Sequence, residues 1–503
     1  MTEKLRTTGD WTYELLSQYY NEIEIIAKDE LGLDVYPNQL EVISSQQMLD
    51  AYSTHAMPVM YNHWRFGKSF VQNQTAYDKG HMNLAYEIVS NTNPCISYLM
   101  DENSIMMMAL VIAHAGFGHN YFFKNNYLFQ EWTDASSIVD YLLFAKKYVT
   151  YCEEKYGAEE VEQFLDACHA LELYGVDKYK RSRSSIKLNE HEKKLESMMF
   201  NAKNYDDVIS STVPKKQSDP KTDEHESKFA NFENMEPEEN LLYFLEKKAP
   251  YLEEWQREII RIVRKVSQYF MPQRSTQLGN EGFAVMVHYY IMNRLYEKGI
   301  VDEGFWLEFL ESHTAVIGQP GYDHPYYGRI GINVYALGFA IYMDIKRICM
   351  EPTDEDKEYF PWAGNGNWIE TIKKAAKNYR DESFIQQFLS PKVVRDFKMF
   401  SILDDPDEDV IKITNIHNRE GFLAIRDALA KMYDISERLP NLQVYKVDVE
   451  TRTLQLRHIS SQNKYLDENE TVSVLDHLRH IWNFEIELSS IDDDGNVYEI
   501  FNC

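Results

Sequence analysis

Cysteine is scarce in this sequence, and nothing in its spacing would join one cysteine to another. The five cysteines among 503 residues are scattered, odd in number and never arranged as Cys-x-x-Cys. This usage is typical of a reducing compartment and argues against a disulfide framework or a thiolate zinc site. The N-terminal stretch "MTEKLRTTGDWTYELL" lacks an apolar signal core, and the longest apolar runs, such as "MMMALVIA", are too short to cross a bilayer. We therefore expect a cytoplasmic protein without a membrane span.

Positively charged residues are also fewer than negatively charged ones. Lysine and arginine number 52 against 80 aspartates and glutamates, which leaves a formal net charge of -28. Such a surface repels phosphate backbones, and no stripe rich in lysine and arginine interrupts it, so we expect no nucleic-acid partner. An acidic surface could attract cations or a basic protein, although solubility is the simpler interpretation.

Several catalytic motifs are missing. The sequence has no P-loop, no GxGxxG after a strand, no GxSxG and no HExxH. Nucleotide, dinucleotide and serine-hydrolase functions therefore lack support, as does the helix with which many zinc peptidases bind their metal. What is present is an apolar fraction of 44%, with 35 tyrosines and 25 phenylalanines, which is enough for a large aromatic core.

The order of patterns along the chain predicts a mainly α fold, with a large helical body followed by a smaller C-terminal α+β domain. Apolar residues recur at helical spacing in the body, residues 1–390, for example at 83–90, 104–114, 134–156, 158–169 and 252–269. A stretch rich in serine, proline and charge interrupts the body at about 205–238, and there we expect an exposed, mobile segment. Residues 391–503 predict the order strand–strand–helix–strand–strand–helix–strand–strand.

The stretch "VIAHAGFGHNYFFKNN" carries two histidines in an apolar and aromatic setting. His114 and His119 are five residues apart, a spacing that splays two side chains by more than a quarter turn of an α-helix. Gly116 and Gly118 lie between them, and glycine is where helices end or bend. If the helix ends there, the two imidazoles can converge.

A second stretch, "NEGFAVMVHYY", places Glu281 and His288 seven residues apart, on one face of a helix and over small residues. Together with His114 and His119 they form a donor set suited to zinc or another divalent ion that prefers imidazole. In the alternative interpretation, the three histidines are separate core residues that are hydrogen-bonded within an aromatic interior.

Other polar residues extend this candidate site. Glu87 and Glu102 could supply a further ligand or, like Glu281, the catalytic carboxylate. Arg274 lies seven residues before Glu281; an ion pair between them is the favoured prediction, and binding of an anion is the alternative. The stretch "HPYYGRIGINVYALG", which includes Tyr335, is dense in donors and suggests a pocket wall, although tyrosine-rich loops often simply pack.

These stretches and others resemble the SpoVR family (stage V sporulation protein R), and its members from non-sporulating proteobacteria most of all. The matching segments, within residues 86–365, are "YEIVSNTNPCISYLMDENS", "AHAGFGHNYFFKNN", "QYFMPQRSTQLGNEGFAVMVHYYIMN", "HPYYGRIGINVYALGFAIYMDIKRIC" and "EPTDEDKEYFPWAGN". With the N-terminal helices and the C-terminal domain, the resemblance covers nearly the whole chain. The family's usual "NEGWA" is "NEGFA" here, and Phe283 keeps an aromatic ring at that position.

The resemblance implies a role in bacterial stress or starvation physiology. In spore-forming bacteria the family is tied to formation of the spore cortex. Elsewhere its genes accompany a PrkA-type serine kinase and a von Willebrand factor A-like protein, which the resemblance therefore implies as partners.

Two functions stay open at this point, and whether the protein is an enzyme stays open with them. The broad description is a regulatory or scaffold protein that acts with the kinase system, since no complete catalytic motif is present. The sharper hypothesis is a metal-dependent hydrolase with a His/Glu site in the helical body, since histidine, glutamate, asparagine and glycine converge there among apolar residues.

Overall fold

The structure is a computed structural model that describes residues 4–8, 10–79, 87–179, 237–320, 331–399, 401–403, 412–415, 418–460, 465–492 and 494–503. Contacts within the chain divide it into two compact units. The first contains Met1–Glu172 and Glu253–Asn441, and the second contains Leu173–Leu252 and Leu442–Cys503. Of the stretch for which composition predicts a mobile segment, residues 205–236 lie outside the described part.

Helices make up most of the first unit, as the apolar spacing predicts. Several begin where a side chain accepts a hydrogen bond from the first turn, as Ser104, Asn333 and Asn418 do. The α-helices of this unit are Tyr13–Ile25, Ser45–Ser53, Trp64–Asp78, Ile105–Val111, Asn120–Asn125, Tyr127–Trp132, Ile138–Tyr156, Ala158–Ala170, Glu254–Ser275, Gln277–Glu297, Glu303–Val316, Val334–Met350, Asp354–Tyr359, Trp368–Asn378, Asp381–Phe388, Pro391–Asp396, Arg419–Tyr433 and Ile435–Arg438. Two π-helices, Ile26–Glu30 and Ile112–His119, continue α-helices without a break.

A small sheet accompanies these helices. Its strands are β1 (Asn38–Ile43), β2 (Glu87–Ser90) and β3 (Cys95–Met100), in the order β1-β3-β2; β1 is parallel to β3 and β2 is antiparallel to it. The predicted helix over 83–90 is therefore wrong for residues 87–90, while 83–86 lie outside the described residues. A run as short as "EIVS" fits both a helical and a strand period, and pairing with β3 decides between them.

The helix Ile105–Asn125 lies at the centre of the first unit. By length and composition alone it could cross a membrane, although its most apolar window is wholly buried inside the protein. A core helix of a globular protein passes the same test, so one such helix is weak evidence for a membrane span. The sequence-based expectation of no membrane span considered only uninterrupted apolar runs. The longest such run ends before the histidines and glycines of this helix, so the helix as a whole was not considered.

The C-terminal region contains the predicted alternation of strands and helices. Strands β4 (Ser401–Leu403) and β5 (Lys412–Asn415) pair with each other, and the helix Arg419–Tyr433 follows them. In the second unit β6 (Asn441–Val447), β7 (Leu454–Ile459), β8 (Ile486–Ile491) and β9 (Val497–Asn502) form one sheet in that order. The helix Glu468–Trp482 connects the parallel strands β7 and β8, and the helix Leu241–Lys248 belongs to the same unit. The predicted fold class, mainly α with a smaller C-terminal α+β region, is confirmed.

The division between the two compact units lies near residue 441, and the domain boundary at residue 390 stays a prediction. The division lies there because the helix Arg419–Tyr433 buries Phe422, Ile425 and Leu429 in the core of the first unit. The change of pattern after residue 390 marks the first strands of this region, but the contacts within the chain place them in the first unit, and burial assigns the following helix to the helical body.

Candidate functional site

The helix that carries His114 and His119 widens at its glycines. Residues Ile112–His119 form a π-helix, at whose end the Asn120 N–H donates to the carbonyl of Ala115, five residues earlier. Hydrogen bonds between residues five apart bring side chains five apart onto nearly the same face, and such turns are frequent at functional sites. The two imidazole centroids lie 4.6 Å apart. The helix therefore widens at its glycines and does not end there, and the two imidazoles converge.

Small residues allow two other helices to come close to this one. A Cβ on Gly118 would lie 2.6 Å from Ala284 Cα in the helix Gln277–Glu297, and a Cβ on Gly282 would lie 2.4 Å from the Gly338 carbonyl carbon in the helix Val334–Met350. No side chain larger than hydrogen fits at such contacts. This close packing brings Glu281, next to Gly282, up to the two histidines.

Two carboxylates meet the histidines in the buried cluster. Glu281 Oε2 lies 3.4 Å from His119 Nε2 and 3.8 Å from His114 Nε2. Glu87, the first residue of β2, brings its Oε1 to 3.1 Å from His114 Nε2. Its other oxygen is buried and has no hydrogen-bond partner among the described residues. Ligand atoms of Glu87, His114 and His119 all lie within 4.8 Å of one another, so this group could hold a metal ion.

The remaining imidazole nitrogens have partners that orient the rings. His119 Nδ1 lies 3.0 Å from Asn280 Oδ1, to which it can donate. His114 Nδ1 lies 2.8 Å from His288 Nδ1, and His288 Nε2 lies 3.0 Å from His313 Nδ1. Both histidines of the cluster therefore direct Nε2 towards the carboxylates.

Burial and pairing act in opposite directions on the charges of this cluster. Burial alone would lower the pKa of His119, but the Glu281 carboxylate outweighs it and raises this pKa to about 9. Burial would raise the pKa of Glu281, whereas the charge of His119 and hydrogen bonds from both histidines lower it to about 2. Burial raises the pKa of Glu87 and lowers the pKa of His288 well below its ordinary value. The cluster thus combines an ion pair of His119 and Glu281 with a neutral His288.

Four of the six predicted site residues come together, and the other two take different positions. His288 contacts the cluster, but its two nitrogens face His114 and His313 and not the carboxylates. Glu102 is exposed in the turn after β3, and no hydrogen bond or ion pair joins it to the described residues of the cluster. Glu102 is close to His114 in sequence but lies away from the cluster, because the chain leaves the sheet after β3.

Three further residues belong to the site. Asn280 could have been suggested by its position beside Glu281, whereas His313 is a lone histidine in an amphipathic helix and gives no signal in sequence. Tyr335, from the predicted pocket wall, lies near Glu281, and the charge of that carboxylate raises the pKa of Tyr335. Of the other donors predicted for that wall, Asn333 caps the helix Val334–Met350, and His324, Tyr326, Tyr327 and Arg329 lie outside the described residues.

A cavity of about 460 Å³ opens onto this site. His119, Asn280 and Glu281 line it as one polar cluster, and a second polar cluster in the same lining contains Arg65, His169, Glu172 and Arg274. Its volume is in the range of small-molecule binding sites. The ion pair of Arg274 is formed with Glu172, at 3.8 Å, and not with Glu281 as predicted.

Comparisons with known proteins agree with the resemblance read from the motifs. The family model described as "SpoVR like protein" matches residues 10–438, and the model described as "SpoVR-like C-terminal domain" matches residues 440–493. A protein of Escherichia coli (strain K12), described as "Uncharacterized protein YcgB", is 51% identical over 503 residues, which is 100% of this chain and 97% of that protein. No solved structure matches this chain.

Proposed function

The chain belongs to the SpoVR family, and from the geometry of its site we propose that it is a divalent-metal-dependent hydrolase. The proposed ligands are Glu87, His114 and His119, with Glu281 as the general base or a fourth ligand. The observation that carries the proposal is Glu87, whose second oxygen is buried without a hydrogen-bond partner among the described residues. A buried carboxylate oxygen without a partner lowers stability, and a bound cation would satisfy it.

The chemistry of the donor set fits such an ion. Two imidazoles with one or two carboxylates are a common ligand set for zinc and related divalent metals. Ligating histidines usually use their second nitrogen for an orienting hydrogen bond. His119 has Asn280 in this role and His114 has His288, so both rings are held with Nε2 towards the carboxylates.

The roles of the residues follow from their positions. A divalent cation held by this group would polarise the carbonyl or phosphoryl oxygen of a substrate. Glu281 faces the cavity and can accept a proton from a water molecule there. His288 and His313 keep the ring of His114 in position, and Tyr335 lies near Glu281.

Metal analysis of the purified full-length chain tests the metal site. We expect about one divalent ion per chain by elemental analysis, and loss of that ion in the variants H119A and E87Q. The variant H477A is the matched control, because His477 lies on the helix Glu468–Trp482 of the second unit, outside the cluster. If H119A lowers thermal stability while no variant changes the metal content, the cluster is structural and the proposal fails.

Hydrolysis is tested separately on the metal-loaded protein. Activity against ester, amide and phosphoester substrates should depend on the added ion. The variant E281Q should lower kcat by about a hundredfold or more, since the amide cannot accept the proton. Full activity of E281Q would exclude Glu281 as the base.

We further propose that the protein acts in the cytoplasm, in stress or starvation physiology, with a PrkA-type serine kinase and a von Willebrand factor A-like protein. The family resemblance supports this proposal, and it is compatible with either an enzymatic or a regulatory role. Affinity purification of the tagged chain from starved cells, followed by mass spectrometry, should recover both partners. Recovery of neither partner would count against it.

A further inference from the structure

The second polar cluster in the cavity extends the proposed function to a class of substrate. We infer that Arg274 binds the carboxylate of a small amphipathic substrate, such as an acylated amino acid or a short peptide. This inference rests on the proposed function, because the same cavity reaches Glu281. The substrate would place its carboxylate at Arg274, its apolar part along the wall of the cavity, and the bond to be hydrolysed at the His/Glu site.

Arg65, the other cation of this cluster, already pairs with Glu172. Its two terminal nitrogens lie 2.8 and 3.1 Å from the two oxygens of Glu172, which is a bidentate ion pair. The nitrogen nearer Glu172 also lies 2.9 Å from His169 Nδ1, and Tyr61 holds the other side of that imidazole at 3.1 Å. The group is a structural network that spans three segments of the first unit, and its donors are largely used within the protein.

Within the part of the chain that the structure describes, Arg274 differs from Arg65 in having donors left. Its ion pair is a single contact of 3.8 Å with Glu172, a carboxylate whose oxygens Arg65 already binds more closely. About 48% of the Arg274 side chain is exposed, and it lines the cavity. A guanidinium group offers five N–H donors in a planar fork that matches a carboxylate. Arg274 is therefore the cation of this cavity that can bind an anion without breaking another contact.

The charge of the cluster selects a monoanion. Two guanidinium groups and one carboxylate leave a single positive charge, since hydrogen bonds from His169 and Arg65 and the charge of Arg65 outweigh burial and keep the pKa of Glu172 far below its ordinary value. Burial lowers the pKa of His169 and also that of His55, another lining residue, so neither adds charge near neutral pH. A carboxylate matches one positive charge, whereas a phosphate monoester carries nearly two negative charges.

The cavity that holds both clusters also has an apolar wall. Val263, Val266 and Phe270 line it from the helix that also carries Arg274.

The experiment compares two probes that differ in one charge. N-acetyl-L-phenylalanine carries an aromatic ring, an amide bond and a carboxylate, and N-acetyl-L-phenylalaninamide has the same groups with a neutral end. Titration calorimetry on the full-length chain should show the acid binding about tenfold or more tightly than the amide, as expected for a charge-assisted hydrogen bond. R274Q should abolish this preference and leave amide binding unchanged, while R274K should retain part of it. R419Q is the control, because Arg419 pairs with Glu358 outside the cavity.

Several outcomes would overturn the inference. Equal binding of acid and amide, no detectable binding of the acid at millimolar concentration, or an unchanged preference in R274Q would each do so. Tighter binding of phenyl phosphate than of the acid would replace a carboxylate subsite by a phosphate subsite. The same titrations on the E87Q variant, which we expect to bind no metal, separate this inference from the proposed function. If the unmodified chain prefers the acid but binds no metal, the subsite stands and the hydrolase is refuted. If the unmodified chain binds metal but lacks that preference, only the subsite is refuted.

Discussion

Replacing Gly282 by alanine tests the close helix packing on which the site depends. The added Cβ would lie 2.4, 2.5 and 2.8 Å from the carbonyl carbon, Cα and carbonyl oxygen of Gly338. All three are backbone atoms, so no flexible side chain can move aside. Carbon atoms in contact are normally separated by about 3.5 Å, so the two helices must move apart by roughly 1 Å.

The magnitude follows from two opposing effects. Overpacking of a well-packed core costs about 1–3 kcal/mol, and a backbone contact belongs at the upper end of that range. The exchange of glycine for alanine within a helix stabilises the folded state by about 1 kcal/mol. We therefore expect G282A to lower the free energy of unfolding by about 2 kcal/mol. Since Glu281 is the adjacent residue, the same movement should also weaken metal binding.

The control is Gly67, which lies within the helix Trp64–Asp78; apart from its chain neighbours and the backbone of its own helix, no atom of the described residues lies within 4 Å of its added Cβ. G67A should raise the free energy of unfolding by up to about 1 kcal/mol, so the two variants should differ by about 3 kcal/mol. Urea unfolding followed by circular dichroism measures this difference. If G282A is as stable as G67A, the helices do not cross at Gly282 and Gly338 as described, and the account of how Glu281 reaches the histidines fails.

Three further predictions concern ionisable groups. In the metal-free protein the pKa of His119 is about 9 in the folded state, above its ordinary 6.5, so its pairing with Glu281 stabilises the fold fully below pH 6.5 and is lost as the pH rises through 9. The loss of stability in H119Q should therefore be large at pH 6 and vanish above pH 9. A loss of stability that grows with pH would contradict this prediction. Burial opposes ionisation of Glu30, but hydrogen bonds from Arg294 and its neighbours lower its pKa to about 2; E30Q should lose about 1–2 kcal/mol at pH 7 by urea unfolding, and progressively less from pH 4.5 towards 2. A thiol reagent should modify Cys503 rapidly in the native protein and the four buried cysteines only after unfolding, so rapid reaction of all five would show that the core opens.

Much of the fold could be predicted from residue patterns. The long helices were predicted because apolar residues at helical spacing must face a core, whichever partners cover them. The strand Glu87–Ser90 could not be predicted, because four residues carry too little periodicity and pairing with β3 decides their conformation. The division near residue 441 was not predicted either, because it depends on which core buries Phe422, and sequence patterns mark elements but not their partners.

For the candidate site, the sequence by itself determined the identity of its chemical groups: two histidines among glycines, and a glutamate on a helix with small residues. It also determined their burial, because the flanking residues are apolar and aromatic. Only the tertiary structure decided which of these groups meet. The π turn aligned His114 with His119, a spacing that an α-helix would have separated. Packing of β2 brought in Glu87, the turn after β3 left Glu102 at the surface, and packing of the helix Gln277–Glu297 placed His288 behind His114. Contacts between residues far apart in sequence depend on the relative placement of whole elements, and that placement is set by packing over the entire core, which local spacing does not encode.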